Sequence, residues 1–274
     1  MRRLVASACR AGVVVALLLL TGAATAQPRR IVSMNPCVDA ILMEVADPVQ
    51  IAGISHYSKD PRATSITMAQ AARFTATSGT AEEVVALAPD LVISGPHVEP
   101  ATINALRRLG IPLVQVGVPD TIVQSRAQVR AVAAAAGHPA RGERLVARID
   151  AAVAAAQVGG PPVPALIWLG GGLVPGSATL ADDMMRASGF RNISADYGLK
   201  VWDVLPLEQL LARPPRVLLT TGDIDASDRM LGHPALRHLD GRVAVRAWPQ
   251  RLLNCGGPTV IEAVNRLAAV RSGL

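Results

Sequence analysis

Apolar positions along the chain come in two rhythms. Arg30-Ile-Val-Ser-Met34, Gln50 to Ser55, Asp90-Leu-Val-Ile-Ser94 and Ile111 to Val116 are compact apolar runs. Asn, Pro and Gly bound them, which is the pattern of strands buried on both faces. Segments of helical spacing lie between: Cys37 to Ala46, a stretch opened by Thr80 and ending before Pro89, and Thr102 to Leu109 with Gly110 as its C-cap. Glu83, three residues after Thr80, makes a capping-box pattern. Strand and helix alternate, which predicts a mostly parallel sheet covered by helices.

The alternation then breaks. Thr121 to Ala136 and the alanine-rich Ala140 to Gln157 read as consecutive helices, parted only by Gly137-His138-Pro139. Gly159-Gly160-Pro161-Pro162 ends the run. Alternation restarts with a strand over Ala165 to Leu169, the turn Gly170-Gly171-Gly172, a helix over Ala181 to Ser188, a helix from Pro206 and a strand over Arg216 to Thr220. The expected class is α/β, with two lobes joined by a helix; one doubly wound domain with a helical excursion is the alternative. The division predicted is residues 27–139, a connecting helix over 140–158, and 159–274.

The two halves also resemble each other. Glu82-Glu-Val-Val-Ala-Leu-Ala-Pro89-Asp-Leu-Val-Ile-Ser-Gly95 matches Glu208-Gln-Leu-Leu-Ala-Arg-Pro-Pro215-Arg-Val-Leu-Leu-Thr-Thr-Gly222. In each, Glu precedes Pro by seven residues, and a two-turn helix feeds a buried strand stopped by Gly. Ligands of open α/β sheets sit beyond the carboxyl ends of strands, so two facing lobes would leave a cleft between their loops.

Composition narrows the choices. The chain has 274 residues, half of them hydrophobic and 18% charged, which argues against disorder. Aromatics at 3% supply too few ring platforms for a single-stranded nucleic-acid surface. Arg2, Arg3 and Arg10 precede or flank a short apolar core over Ala11 to Leu20, and Ala24-Thr25-Ala26 is a small-x-small cleavage site before Gln27. Residues 1–26 therefore read as a cleaved export signal, too short in its apolar part to span a bilayer. Cleavage removes three of 27 basic residues and none of 21 acidic ones, leaving 24 against 21, a net +3. Nucleic acid is not an expected partner. Cys37 and Cys255 remain, in an oxidising compartment.

No Gly-x-Ser-x-Gly appears, and Gly170-Gly171-Gly172 lacks the Lys-Ser/Thr of a phosphate loop. A hydrolase is a remote alternative; the glycines read instead as room for a backbone to approach a ligand. No catalytic residue and no cofactor are expected.

Arg30-Ile-Val-Ser-Met-Asn35 followed by a helix and Ile51-Ala-Gly-Ile-Ser55 resembles the start of the Fe/B12 periplasmic-binding domain. So do the Glu82-to-Val92 unit, Leu106-Arg-Arg-Leu-Gly-Ile-Pro112 and the duplicate at Glu208. The resemblance covers nearly all of residues 28–270. It implies a class III periplasmic binding protein: two Rossmann-like lobes, one rigid connecting helix, small hinge motion, and a ligand between the lobes. The implied role is capture of a metal chelate for an ABC importer, with cobalamin or another corrinoid first, and a ferric siderophore or haem second. The implied partner is an ABC permease dimer with its ATPase subunits, and the binding protein itself is expected to be a periplasmic monomer.

On that fold Asn35, Cys37, His56, Tyr57, Gly95, His97, Gly171, Trp202, Trp248 and Cys255 are the expected ligand-binding residues. Trp202 and Trp248 would stack on a planar macrocycle, while Trp168, inside an apolar strand, reads as core. His56 or His97 could touch a chelated metal. For Cys37 and Cys255 three readings stand open: an interlobe disulfide, separate buried thiols, or contacts to the ligand. A zinc- or manganese-ion binder is the rival class, with His56, His97, His138, His233 and His238 as candidates; no His-x-x-x-His or Cys-x-x-Cys supports a preformed site, and no resident metal is expected. Arg62, Arg246 and Arg251 could meet an anionic siderophore, though a solvated face suits them better. Glu82 and Glu208 stand in first turns where the helix dipole favours carboxylates; the resemblance implies that each docks into an arginine-rich permease pocket.

Overall fold

The computed structural model describes residues 27–220, 239 and 241–274. The proposed export signal, His233 and His238 lie outside them.

The first lobe alternates strand and helix: β1 (Ile31–Ser33), α1 (Pro36–Val45), β2 (Ile51–Ser55), α2 (Met68–Ala71), β3 (Ala76–Thr77), α3 (Ala81–Ala86), β4 (Leu91–Ser94), α4 (Pro100–Arg108) and β5 (Leu113–Gln115). Its sheet has the order β3-β2-β1-β4-β5, and every pairing is parallel. Two helices follow, α5 (Ile122–Ala135) and α6 (Pro139–Ala155). The second lobe holds β6 (Val163–Trp168), β7 (Leu173–Pro175), α7 (Leu180–Ala187), β8 (Phe190–Asn192), β9 (Trp202–Val204), α8 (Leu207–Ala212), β10 (Val217–Thr220), β11 (Ala244–Ala247), α9 (Arg251–Asn254) and α10 (Thr259–Ser272). Its parallel sheet runs β11-β10-β6-β8, and β7 pairs antiparallel with β9 beside it.

The duplicated sequence unit occupies matching places. α3 leads into β4, which pairs with the central β1; α8 leads into β10, which pairs with the central β6. In each sheet the central strand has neighbours on both sides, so its carboxyl end is a switch point where a crevice opens.

α6 carries one apolar stripe, Leu145, Val146, Ile149 and Ala152 with Gly142, and packs on α5, α1 and α10. Gly142 is where α5 and α6 touch: a Cβ there would stand 2.5 Å from that of Ala133. Ion pairs Arg141–Asp47 (2.7 Å) and Arg148–Glu44 (2.6 Å) tie α6 to the first lobe. The largest apolar core runs without a break from β1 and α1 through α5 and α6 to β6, α7 and α10. The lobes are therefore joined by shared core as well as by a helix. Burial on this scale resists hinge opening, because each Å² of apolar surface exposed costs about 25 cal/mol.

Local expectations hold at one point and need two adjustments. Gly110 ends α4 with φ +71°, as a left-handed cap should. Glu83, however, does not complete a capping box. Thr80 accepts from Glu83 N (3.3 Å), but the Glu83 carboxylate turns back to the backbone N–H (2.6 Å) and hydroxyl (2.8 Å) of Ser78 and the hydroxyl of Thr77 (3.0 Å). The N–H of Ser78, then its hydroxyl and that of Thr77, hold the Glu83 pKa below the ordinary range. The short strands β7, β8, β9 and β11 have no counterpart in the sequence reading, because three or four residues are too few for a period to register.

Candidate functional site

α1 starts where β1 ends, and Asn35 sets the angle. Its Oδ1 accepts from Cys37 N (2.8 Å) and Val38 N (3.3 Å), capping the helix. Gly95, after β4, makes this possible: a Cβ there would lie 2.2 Å from Asn35 Nδ2. Asn35 and Gly95, both expected at the ligand, thus form one unit in which Gly95 is buried and Asn35 lines the cleft.

Opposite, the loop Asn254-Cys-Gly-Gly-Pro258 of the second lobe wedges into the first. Gly256 packs so closely that a Cβ would meet Ser125 Oγ at 2.6 Å, and at Gly257 (φ +62°) it would meet Ile41 at 2.8 Å. Gly257 N donates to Ser125 Oγ (2.7 Å). Cys37 and Cys255 are joined in a disulfide with Cα atoms 5.1 Å apart. The open question at the cysteines is resolved: neither is a free thiol able to ligate a metal, and their assignment as soft ligand contacts is corrected to an interlobe bridge in the cleft wall. Ser65 Oγ donates to Arg251 O (3.1 Å) and Asn254 Nδ2 to Arg62 O (3.2 Å), adding polar links across the same seam.

Between the lobes lies a cavity of about 240 Å³. The first lobe contributes Asn35, Cys37, His97 and the loop Gly117-Val-Pro-Asp120; the second contributes Thr179 to Ala181, Trp202 and Leu253 to Gly256. Gln128 of α5 completes the wall and donates Nε2 to Gly117 O (2.7 Å), fixing that loop. Trp202 opens β9 opposite Pro175 and is 47% exposed. Its placement depends on Gly176, where a Cβ would strike Lys200 O at 1.8 Å.

Of the expected ligand residues, Asn35, Cys37, His97, Trp202 and Cys255 line this cavity. Trp248 does not. It is 2% exposed within the core, with its backbone N–H donating to Thr220 O (2.7 Å). A large ring just past the end of β11 finds more apolar surface beneath the sheet than at its rim, so the stacking role expected of Trp248 is withdrawn. Trp168 is fully buried and donates Nε1 to Leu205 O (3.3 Å). His56 and Tyr57 are exposed in the turn after β2 with their ring centroids 4.1 Å apart, outside the cavity wall, and Gly171 is exposed in its turn after β6. His138 sits at the far end of the first lobe, beside Asp47. Arg62 and Arg251 pair with Asp60 and Glu262.

Behind the cavity Asp39 is completely buried on α1. Its Oδ2 accepts from Ser55 N (3.0 Å) and Ser58 Oγ (2.6 Å), holding the turn that carries His56 and Tyr57 against α1. Burial pushes its pKa up to about 7, against the lowering effect of hydrogen bonds from Ser33, Ser58 and Ser55. Sequence reading missed Asp39, whose place in an apolar helix was the available signal. It also missed the Gly117–Asp120 loop, which follows an edge strand as a ligand loop should.

Chemically the wall is apolar, with the amides of Asn35, Gln128 and Asn254 and the hydroxyl of Thr179. Among the described residues Asp120 is its one carboxylate, His97 its one imidazole, and no Lys or Arg lines it. Among the same residues no group of three or more His, Cys, Asp or Glu could hold a metal ion.

The family model for periplasmic binding proteins matches residues 31–242. A cobalamin-binding protein of Halobacterium salinarum is 29% identical over 211 residues, 74% of this chain; the chain spans 56% of that relative's length. A vitamin B12-binding protein of Pectobacterium atrosepticum is 24% identical over 263 residues, covering 92% of this chain and 91% of the relative. Among solved structures, the apo periplasmic heme-binding protein RhuT of Roseiflexus sp. RS-1 superposes with a TM-score of 0.72 at 27% identity, over 88% of this chain and 97% of that one.

Proposed function

Since the chain belongs to the periplasmic binding protein family, we propose that it captures a corrinoid in the interlobe cavity and delivers it to an ABC importer. The carrying observation is the cavity wall: an exposed indole, amides from both lobes (Asn35, Gln128 and Asn254), and no Lys or Arg among the described residues. A corrin ring edged mainly with amide groups suits such a wall. Haem propionates and anionic ferric siderophores call for Lys or Arg partners, which makes them the second choice.

The test is a titration of tryptophan fluorescence with cyanocobalamin, haemin and a ferric catecholate in parallel. Cyanocobalamin is expected to quench at the lowest concentration, and Trp202→Ala to abolish most of the quench, since Trp168 and Trp248 are buried. Tighter binding of haemin or the catecholate than of cyanocobalamin would overturn the ligand assignment. The absorbance spectrum of protein purified with its native ligand gives the same answer independently.

The same reading places the protein in the periplasm as a monomer after removal of residues 1–26, with the lobes divided at α6. Glu82 and Glu208 support docking to a permease. Each is exposed in the first turn of its helix, and neither has a hydrogen-bond or ion-pair partner among the described residues. The double variant Glu82→Ala/Glu208→Ala is expected to bind ligand with unchanged affinity and to lose stimulation of the cognate importer's ATPase. Full stimulation by the double variant would reject the docking role.

A further inference from the structure

The loop after β5, residues 117–120, is held at both ends by α5. Gln128 Nε2 donates to Gly117 O (2.7 Å), and Asp120 N donates to Gln124 Oε1 (2.6 Å). The backbone N–H of Gln124 donates in turn to the N-cap hydroxyl of Thr121 (3.1 Å). The loop lines both the interlobe cavity and a neighbouring groove of about 410 Å³ that also shares Gln128.

What this wall leaves open is mostly acceptor. The bond that anchors Asp120 uses its backbone, and its carboxylate has no hydrogen-bond or ion-pair partner among the described residues. Gln128 has Nε2 committed to Gly117 O, so its Oε1 is buried and unpaired in a side chain only 9% exposed. Asn254 likewise spends Nδ2 on Arg62 O. The Thr179 hydroxyl is used twice, donating to Gly176 O (2.8 Å) and accepting from Asp182 N (3.2 Å). Open donors are the Asn35 amide, the Trp202 indole and the His97 ring; no Lys or Arg among the described residues lines the wall to balance the carboxylate.

We infer that Asp120 determines ligand specificity: it accepts N–H groups on the rim of the bound ligand and repels ligands that carry carboxylates there. The inference rests on the corrinoid reading above and adds to it a residue and a sign of charge. A primary amide and a carboxylate are nearly equal in size, so shape alone distinguishes them poorly. Charge does distinguish them. An amide N–H meets Asp120 in a charge-assisted hydrogen bond, whereas a second carboxylate meets a like charge beside apolar walls that screen it less than water does. Repulsion of the wrong ligand counts toward specificity as fully as attraction of the right one.

The experiment compares cyanocobalamin with its separated monocarboxylic acids, in each of which one rim amide is hydrolysed. Affinities are measured by calorimetry for the wild type, Asp120→Asn and Asp120→Glu, with thermal melts confirming that both variants fold. The wild type is expected to bind at least one acid about tenfold or more weakly than the parent amide. That penalty should fall below about threefold in Asp120→Asn, persist in Asp120→Glu, and shrink for the wild type in about 0.5 M salt. A residue that only shaped the loop would change all affinities together and leave the ratio unmoved. No penalty for any acid in the wild type, or the same penalty in Asp120→Asn, overturns the inference. Preference of the wild type for haemin over cyanocobalamin overturns the corrinoid reading instead. Haemin against its dimethyl ester then makes the same comparison: a preference for the ester that Asp120→Asn removes sustains the role of Asp120, and an unchanged ratio overturns it. Binding of neither ligand overturns both.

Discussion

Removing the bridge with Cys37→Ser/Cys255→Ser is expected to lower the unfolding free energy by about 5 kcal/mol, because the closed loop spans nearly the whole described chain. The two cysteines are 218 residues apart, and chain-entropy loss in the unfolded state grows with the logarithm of that span. For a protein of this size the melting temperature should fall by about 10–20 °C. The native state keeps its other interlobe links, the shared core and the bonds Gly257–Ser125, Ser65–Arg251 and Asn254–Arg62. The variant should therefore still fold, with weaker ligand binding, since both cysteines stand in the cavity wall. Urea unfolding of the wild type with and without reductant, beside the double variant, measures the effect. Equal stability of oxidised and reduced protein would show that the bridge does not constrain the unfolded chain.

The second large effect is a loss of stability with rising pH. Asp39 has a folded-state pKa raised to about 7 by burial, whereas in the unfolded chain it titrates near the ordinary value of about 3.9. Between those values the folded protein binds a proton that the unfolded chain does not. Asp39 therefore contributes stability that is complete below about pH 4 and is lost as pH rises to about 7, amounting to at most about 4 kcal/mol. Asp39→Asn should flatten the pH dependence across that window. Its amide oxygen can still accept from Ser55 N and Ser58 Oγ, so the turn after β2 keeps its anchors. Urea midpoints at pH 5, 6, 7 and 8 for both proteins provide the check. Parallel curves would show that Asp39 titrates alike in the folded and unfolded chains.

Much of the architecture is written in local patterns. The apolar runs over Ile31–Ser33, Leu91–Ser94 and Val217–Thr220 become strands because a run of β-branched and aliphatic residues cut off by Gly, Pro or Asn has few other ways to bury itself. The unit repeated at Glu82 and Glu208 placed two equivalent strands beside two central ones, and the stripe on α6 marked a helix packed along one side. Asn35-Pro36 marks the end of the first strand, and the structure also uses Asn35 to cap α1.

What the sequence could not carry was the choice among partners far apart in the chain. Cys37 and Cys255 read equally well as thiols or as a bridge until the second-lobe loop brought their Cα atoms to 5.1 Å. Trp202 and Trp248 follow similar loops, yet one lines the cavity and the other is core, because only the packed sheet and α10 decide which rim has room beneath it. Glu83 matched a capping box, but Ser78 offered a backbone N–H and a hydroxyl together, and two hydrogen bonds there outweigh one to the cap. Periodicity and capping act over a few residues and are legible in order along the chain. Cavity walls, bridges and buried carboxylates such as Asp39 arise where elements from different parts of the chain compete for the same space, and that competition is settled only in the folded molecule.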